Sequence, residues 1–306
     1  YSMVRNFYNN PKRRFSKHEM KQPKFLYLAL LGALALSSQG TALAQDASRW
    51  HNVDVNEQNR EPRRAAFFAY ETQDKAQSFE KKGSANYLSM EGMWKFNFVK
   101  DHNKRPANFF AANYDDSSWT DFPVPGLFEL NGFGDATYKN VGYAWATQFD
   151  PNPPYISELN NYTGSYRRSF DLPANWKGRD VFFHVGSATS NLTLWVNGKF
   201  VGYSEDSKIA AEFNISKYLK PGKNLIAMQV MRWCDGSYFE DQDFWRLTGI
   251  AREVYLYSRP KVHAADIRLD AGLENQYKDG VLHYDVALKG GKADVAVKLC
   301  DKDGKL

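Results

Sequence analysis

The chain has 306 residues, of which 43% are hydrophobic and 15% aromatic, enough apolar side chains for one large domain or two ordinary ones. Its formal net charge of +5 comes from the first 24 residues, which carry seven basic residues and one acidic residue. From Gln45 onward, 33 basic residues face 34 acidic ones, so the charge gives no support to a nucleic-acid partner.

Residues 1–44 predict an exported protein. Lys21 and Lys24 precede an apolar run from Phe25 to Leu36, and Ala42-Leu43-Ala44 has the A-x-A pattern of a signal-peptide cleavage site. This apolar run is shorter than the roughly 20 residues that a membrane-spanning helix needs. We therefore interpret 1–44 as an upstream extension and a signal peptide, with a membrane anchor as the alternative. The mature protein is expected in the periplasm or outside the cell.

Beyond this segment the apolar pattern has period two, in short runs separated by turn residues, which is typical of an all-β protein. We predict strands over residues 181–185 and 192–196. Asn197-Gly198 then predicts a tight hairpin, because both residues adopt positive φ angles readily. Residues 225–231 are apolar on both faces of the expected strand, so this strand is predicted to be central and covered on each side.

Many short strands joined by long loops predict a jelly-roll β-sandwich over residues 45–260. After it, the pattern predicts about three more strands, around Ile267, over 281–288 and over 295–299. A complete immunoglobulin-like sandwich needs about 100 residues. We therefore interpret 261–306 as the truncated start of an immunoglobulin-like β-sandwich.

The segment from Met231 to Tyr257, MRWCDGSYFEDQDFWRLTGIAREVYLY, concentrates acidic and aromatic side chains. They are Asp235, Glu240, Asp241 and Asp243 together with Trp233, Tyr238, Phe239, Phe244 and Trp245. A loop that only connects strands is usually small and polar. Aromatic rings beside carboxylates suit a loop that stacks on a sugar and binds its hydroxyl groups, so the segment predicts a carbohydrate site.

This segment resembles the sugar-binding domain of family 2 glycoside hydrolases, in the β-galactosidase branch, where the loop reads very nearly RW-x-DGSY-x-EDQD-x-W-R-x-x-GI-x-R. Further similar stretches are VPGLFELNGFG, KNV, TGSYRRSFDLP and LWVNGKFVGYSEDS, and together they cover roughly residues 52–260. The resemblance implies a galactose-binding-like jelly roll, then an immunoglobulin-like domain. It also implies that two catalytic glutamates lie on a barrel further along the protein, so no catalytic residue is expected in this chain.

The resemblance implies two substrate-binding residues, Asp235 and Asn140. Asp235 matches an aspartate that contacts the galactosyl unit and a sodium ion, and we expect it to project past the rim of the sandwich. Its alternative role is to form the turn with Gly236. Asn140 matches a substrate-contacting asparagine through the tripeptide KNV. The sequence that follows Asn140 departs from the family pattern, so a capping role in the loop stays open.

The other acidic residues of the segment are predicted to hold the loop in place. Glu240, Asp241 and Asp243 are expected to pair with arginines such as Arg246. Catalysis by these carboxylates is disfavoured, because neighbouring side chains on an extended loop point apart and nothing nearby would raise the pKa of one of them selectively.

These observations predict the N-terminal part of a retaining β-galactosidase, which hydrolyses terminal β-D-galactose residues and is inactive in this fragment alone. The resemblance implies Na⁺ and Mg²⁺ in the full-length enzyme, with no complete cation site here. Expected partners are β-galactoside sugars and the chain's own downstream barrel, and a homo-oligomer stays open. The alternative function is a stand-alone carbohydrate-binding module without hydrolytic activity, which would bind sugar by itself.

Overall fold

The computed structural model describes residues 49–301 and 305, so the predicted signal peptide lies outside the described residues. Within this range the only α-helix is α1 (Gln73–Ser78), and the remaining regular structure consists of strands and short 3₁₀ turns. The all-β prediction is confirmed. No helix of the described residues combines the length and the apolar composition that crossing a membrane requires.

The strands follow one another along the chain in this order: β1 (Glu57–Gln58), β2 (Tyr87–Ser89), β3 (Gly92–Val99), β4 (Thr120–Val124), β5 (Gly126–Leu127), β6 (Thr137–Tyr143), β7 (Thr163–Asp171), β8 (Asp180–Val185), β9 (Leu192–Val196), β10 (Lys199–Ser204), β11 (Ala211–Asn214), β12 (Lys223–Met231), β13 (Gln242–Arg246), β14 (Gly249–Ile250), β15 (Val254–Arg259), β16 (His263–Glu274) and β17 (Asp279–Lys289). The 3₁₀ turns are Lys81–Gly83, His102–Lys104, Glu129–Asn131, Ala144–Thr147, Ala174–Trp176, Ser216–Tyr218 and Asp235–Tyr238.

Two antiparallel sheets pack face to face. One has seven strands in the order β1-β10-β9-β12-β7-β3-β4, and the other has four in the order β11-β8-β15-β2. Three two-stranded ribbons, β6–β13, β5–β14 and β16–β17, complete the described strands. The fold is therefore a β-sandwich from which short ribbons extend.

The main core lies between the two sheets. Ile226, Met228 and Val230 alternate along β12 and point into it, where they join Phe183 of β8 and Leu256 of β15. All five side chains are fully buried. Since successive strand residues point to opposite faces, this alternation fixes which side of β12 faces the second sheet.

The outer face of β12 is covered as well. Ala227 of β12 and Trp195 of β9 pack there against Phe109 and Trp119, which belong to the connections between β3 and β4. β12 is also the fourth of the seven strands in its sheet. The prediction of a central strand covered on both sides is therefore confirmed.

The predicted tight hairpin joins β9 to β10. Asn197 and Gly198 have φ angles of 50° and 81°, as the sequence pattern requires. The two strands pair antiparallel, starting from Val196 opposite Lys199. This prediction is confirmed.

Beyond Arg259 the described chain forms one long hairpin. β16 pairs with β17, whereas residues 290–301 contain no strand. The third strand predicted over 295–299 is therefore wrong, because this stretch pairs with no strand of the described residues. Leu299 is 69% exposed. The domain boundary near residue 260 and the immunoglobulin-like domain stay predictions.

A close approach of backbone and rings at Gly164 of β7 gives a test of the core packing. A Cβ atom at Gly164 would lie 2.5 Å from Cζ of Phe128 and 2.6 Å from Cε2 of Phe96, both of which are buried. We expect Gly164→Ala to lower the free energy of unfolding by about 1–3 kcal/mol, measured by urea denaturation. Gly83→Ala is the control, because nothing lies within 4 Å of the added atom. Equal stability of the two variants would contradict this packing.

Candidate functional site

The residues 232–248, called the aromatic loop below, leave β12 and return to the sandwich through a 3₁₀ turn and strand β13. The structure divides its aromatic side chains into two groups. Trp233 and Tyr238 are buried and pack with Trp50. The exposed group consists of Phe239, Phe244 and Trp245, with exposed fractions of 81%, 52% and 52%.

The buried half of the aromatic loop is fixed by hydrogen bonds to distant parts of the chain. The Asn161 side chain donates from Nδ2 to the Trp233 carbonyl at 3.0 Å and accepts from the Trp233 N–H at 2.9 Å. The Tyr238 hydroxyl donates to the carbonyl of Tyr155 at 2.7 Å and accepts from the N–H of Asn152 at 3.0 Å. These bonds satisfy buried backbone groups that would otherwise be costly.

Arg232 connects the start of the loop to the segment that precedes β6. Its Nη1 donates to Oε1 of Glu129 at 3.0 Å and to the carbonyl of Asp135 at 2.8 Å, and its Nη2 donates to Oγ1 of Thr137 at 2.9 Å. The side chains of Arg232 and Glu129 are almost completely buried. Arg232 therefore ties the start of the loop to the segment that precedes β6 and to Thr137, the first residue of β6.

Arg246, at the end of β13, is the buried centre of the loop. Its Nη1 lies 2.6 Å from Oδ2 of Asp241 and 3.4 Å from Oε2 of Glu240. Its Nη2 donates to Oγ of Ser237 at 3.0 Å, and the guanidinium carbon lies 4.5 Å from the ring centroid of Trp233. The predicted pairing of Arg246 with the acidic residues is confirmed for Glu240 and Asp241.

Asp243 does not follow that prediction. Its carboxylate is exposed and accepts a hydrogen bond from the hydroxyl of Tyr138 at 3.3 Å. The backbone explains the difference, since Asp241 and Asp243 both have left-handed φ angles, 59° and 52°, which redirect the chain between them. Asp243 therefore belongs to the surface of the ribbon.

Asp235 lies at the first position of the 3₁₀ turn, and its side chain is buried with 4% exposed. The expectation that it projects past the rim is therefore wrong. The segment around Trp50 packs against this end of the loop, and the Trp50 carbonyl accepts from the Asp235 N–H at 3.0 Å. Oδ1 accepts from the N–H of Gly236 at 2.9 Å, whereas Oδ2 accepts no hydrogen bond from an N–H or hydroxyl group of the described residues. Its role in substrate binding stays a prediction.

Glu205 lies next to Asp235 and was not identified from the sequence. Carboxylate oxygens of the two residues and Sγ of Cys234 all lie within 4.8 Å of one another. Tyr203 donates its hydroxyl hydrogen to Oε1 of Glu205 at 2.5 Å. Burial and the neighbouring Asp235 raise the pKa of Glu205 to about 9. The available signal was an acidic residue directly after an apolar strand, in the stretch GYSEDS.

These side chains match part of a site for a hard cation. Carboxylate oxygens are the ligands that Na⁺ and Mg²⁺ prefer, and the Oδ2 atom of Asp235 accepts no N–H or hydroxyl hydrogen bond among the described residues, so a cation would compete only with the proton on Glu205. The thiol of Cys234 does not suit such ions, because sulfur is a soft ligand and burial raises the pKa of this thiol well above its usual value. Two carboxylates alone leave most of a cation's coordination sphere to other ligands.

The spacing of Glu205 and Asp235 also resembles that of a retaining glycosidase pair, whose carboxyl groups lie about 5 Å apart. Accessibility decides against this role. Glu205 is 5% exposed and Asp235 is 4% exposed, so a sugar ring has no room between them. A catalytic pair must contact the glycosidic bond from both sides.

Asn140 lies on β6, and its side chain is exposed. The pairing of β6 with β13 becomes irregular directly beyond Lys139, and Gly142 follows with a φ angle of 76°. Such bulges redirect side chains and are common beside functional sites. The two predicted substrate-binding residues therefore differ in accessibility, since Asn140 is open to solvent and Asp235 is covered.

A separate cleft of about 540 Å³ lies over the outer face of the four-stranded sheet, and neither Asp235 nor Asn140 lines it. Its buried charges are already paired. Glu212 is 2.8 Å from Nη2 of Arg64 and 2.9 Å from Nδ1 of His184. Among the described residues, the buried charges of this cleft are therefore satisfied without a ligand.

The sequence and the fold of this chain are both similar to those of known carbohydrate-active proteins. The family model for the glycosyl hydrolases family 2 sugar binding domain matches residues 87–260. A β-galactosidase of Priestia megaterium is 40% identical over 243 residues, which are 79% of this chain and 24% of that protein. A β-galactosidase of Halalkalibacterium halodurans is 36% identical over 256 residues, or 83% and 25% of the two chains. This chain thus spans about a quarter of the length of these relatives.

The solved structures show the same fold. A Ruminococcus gnavus β-glucuronidase superposes with a TM-score of 0.53 at 21% identity, covering 72% of this chain and 36% of that one. The same enzyme in complex with uronic deoxynojirimycin gives a TM-score of 0.54 at 20% identity, with the same coverage. At this identity the likeness concerns the fold alone.

Proposed function

Because the chain belongs to family 2 of the glycosyl hydrolases and carries their sugar-binding domain, we propose that it is the N-terminal part of a retaining β-galactosidase. The naming of its curated relatives supports galactose as the sugar. In this proposal the full-length protein hydrolyses terminal β-D-galactosides through a covalent intermediate, with catalytic glutamates that lie outside this chain. The chain supplies one wall of the sugar site.

One observation carries the assignment of Asp235 to that wall. Its Oδ2 atom is buried and accepts no hydrogen bond from an N–H or hydroxyl group of the described residues, which leaves the protonated carboxyl of Glu205 as its donor. A sugar hydroxyl or a cation would take the place of that donor, while Gly236 holds the other oxygen. Reaching it requires a shift of the segment around Trp50, whose carbonyl accepts the Asp235 N–H.

The other contacts of the wall follow from the same chemistry. The exposed amide of Asn140 offers both a donor and an acceptor, which allows it to recognise the orientation of a hydroxyl group. Asp235 and Glu205 would hold the proposed Na⁺ or Mg²⁺ ion, which supplies a positive centre for a sugar hydroxyl when it is bound. Each contact accelerates the reaction only as far as it strengthens in the transition state.

The test uses the full-length protein that contains this chain. We expect Asp235→Asn to lower kcat/KM for an aryl β-galactoside by about 100-fold, because the amide keeps the shape of the side chain and loses its charge. The measurement is steady-state kinetics. Asp121→Asn, whose carboxylate side chain is 58% exposed, is the control and should change kcat/KM by less than about twofold. An unchanged value for Asp235→Asn would remove this residue from the site.

The stand-alone binding module is separated from this proposal by two assays on the 306-residue chain. A wall of a composite pocket should bind free galactose hardly at all, whereas a binding module should bind sugar without further domains. The chain by itself is also expected to release no product from an aryl β-galactoside. Turnover by the chain alone would contradict the placement of the catalytic glutamates elsewhere.

A further inference from the structure

The ribbon formed by β6 and β13 sorts its side chains onto two faces. Trp245 lies opposite Tyr138, and Phe244 lies opposite Lys139. Because strand residues alternate, Tyr138 and Trp245 share one face, called the ring face below, and Phe244 lies on the other. The centroids of the Tyr138 and Trp245 rings are 5.2 Å apart, with an angle of 47° between the ring planes.

The ring face is both aromatic and polar. Tyr138 is 51% exposed and Trp245 is 52% exposed, so a large part of each ring is open to solvent. The hydroxyl of Tyr138 donates to Asp243, which orients the tyrosine ring. Asn140 lies two residues beyond Tyr138 on β6, where the pairing with β13 is irregular, and it is exposed as well. Hydrogen-bonding groups therefore border the two rings.

Two buried arginines hold the ribbon in place through their contacts with the aromatic loop and with β6. Arg246 follows Trp245 directly, is completely buried and pairs with Asp241 at 2.6 Å. Arg232 donates to Oγ1 of Thr137, the first residue of β6, at 2.9 Å. The rings are thus fixed before any ligand arrives, which reduces the entropy that binding would cost.

We propose that Tyr138 and Trp245 form a stacking platform for the second sugar of a disaccharide, on the leaving side of the glycosidic bond. This inference rests on the proposed function, in which Asn140 contacts the galactosyl unit. A sugar ring offers a face of C–H groups that packs on aromatic rings and a rim of hydroxyls that binds polar groups at their border. The ring face presents both features, with the Asp243 carboxylate at its border.

A protein partner suits this surface less well. Covering the ring face with protein would also remove the Asp243 carboxylate from water, and this side chain has no basic partner among the described residues to compensate for the lost hydration. A hydroxylated sugar leaves that carboxylate hydrated or hydrogen-bonded. The chemistry of the border therefore favours a carbohydrate.

The experiment compares one-sugar and two-sugar ligands on the full-length protein. Methyl β-thiogalactoside and a thio-linked galactosyl–glucose disaccharide, neither of which is readily hydrolysed, are titrated by calorimetry. We expect Trp245→Ala to weaken binding of the disaccharide about tenfold and to change binding of the methyl glycoside by less than about twofold. Phe244→Ala is the matched control, because Phe244 is also 52% exposed and lies on the opposite face. It should leave both affinities within about twofold of wild type.

Each outcome decides between the two proposals. Equal weakening of both ligands by Trp245→Ala, or no weakening of either, would overturn the stacking platform while leaving the galactosidase proposal intact. Unchanged sugar affinities together with a change in the oligomeric state would identify the ring face as a protein contact instead. A wild-type protein that neither binds methyl β-thiogalactoside nor hydrolyses galactosides would overturn both proposals.

Discussion

We expect replacement of Arg246 by methionine to lower the free energy of unfolding by about 3–5 kcal/mol. Methionine retains much of the side-chain volume but removes the charge that faces Asp241, whose side chain is 2% exposed. A buried carboxylate without its main partner is strongly destabilising, and Lys208, 3.2 Å away, is the cation that remains beside Asp241. Urea denaturation followed by tryptophan fluorescence measures the loss.

Two further variants separate the lost charge from other effects. Arg63→Met removes a surface ion pair with Asp206, whose side chains are 51% and 33% exposed, and should cost less than about 1 kcal/mol. Adding Asp241→Asn to Arg246→Met should restore part of the stability, since the buried carboxylate that lost its main partner is then gone. A double variant no more stable than Arg246→Met would show that packing, rather than charge, explains the loss.

The same substitution should also affect sugar binding. Arg246 donates to Ser237 and ends strand β13, so its loss releases the ribbon that carries Trp245. The platform proposed above depends on that ribbon being fixed in advance. The structural role of Arg246 and the binding role of Trp245 are therefore linked, and Trp245→Ala is the variant that tests binding without disturbing the buried charges.

The strands of the sandwich could be predicted because their apolar residues alternate. The spacing of Ile226, Met228 and Val230 predicts that all three are buried on one side of β12. The hairpin at Asn197-Gly198 could be predicted because both residues tolerate positive φ angles. The order of strands within each sheet was not predicted, since β12 pairs with β7 and β9 across long stretches of chain. The strand predicted over 295–299 is wrong for a related reason, because a strand needs backbone hydrogen bonds to a partner strand as well as an apolar pattern.

The candidate site was only partly accessible to prediction from the sequence. The pairing of Arg246 with Asp241 followed from a general need, because buried charges require partners. The burial of Asp235 did not follow, because it depends on Trp50, which is distant in sequence and packs against the loop only in the folded chain. Glu205 was missed for the same reason, since its closeness to Asp235 arises from the meeting of the ends of β10 and β12.

We expect the free energy of unfolding to fall as the pH rises, because of the buried carboxyl group of Glu205. Burial and Asp235 raise the pKa of Glu205 to about 9, whereas the carboxyl group in the unfolded chain has the usual value of 4.5. Above pH 4.5 the folded state holds a proton that the unfolded state has released, so stability falls with pH until the pH reaches about 9. Between pH 5 and pH 7 this one group should cost about 3 kcal/mol.

Glu205→Gln should remove that dependence, because an amide cannot ionise and still accepts the hydrogen bond from Tyr203. Urea denaturation at pH 5 and pH 7, in buffer without Na⁺ and Mg²⁺, measures the difference from wild type. Glu80→Gln on the surface is the control and should leave the slope unchanged. Adding either cation at pH 7 should stabilise the wild type more than Glu205→Gln, because a bound ion favours the ionised carboxylate. Equal slopes for wild type and Glu205→Gln would show that Glu205 is ionised in the folded protein.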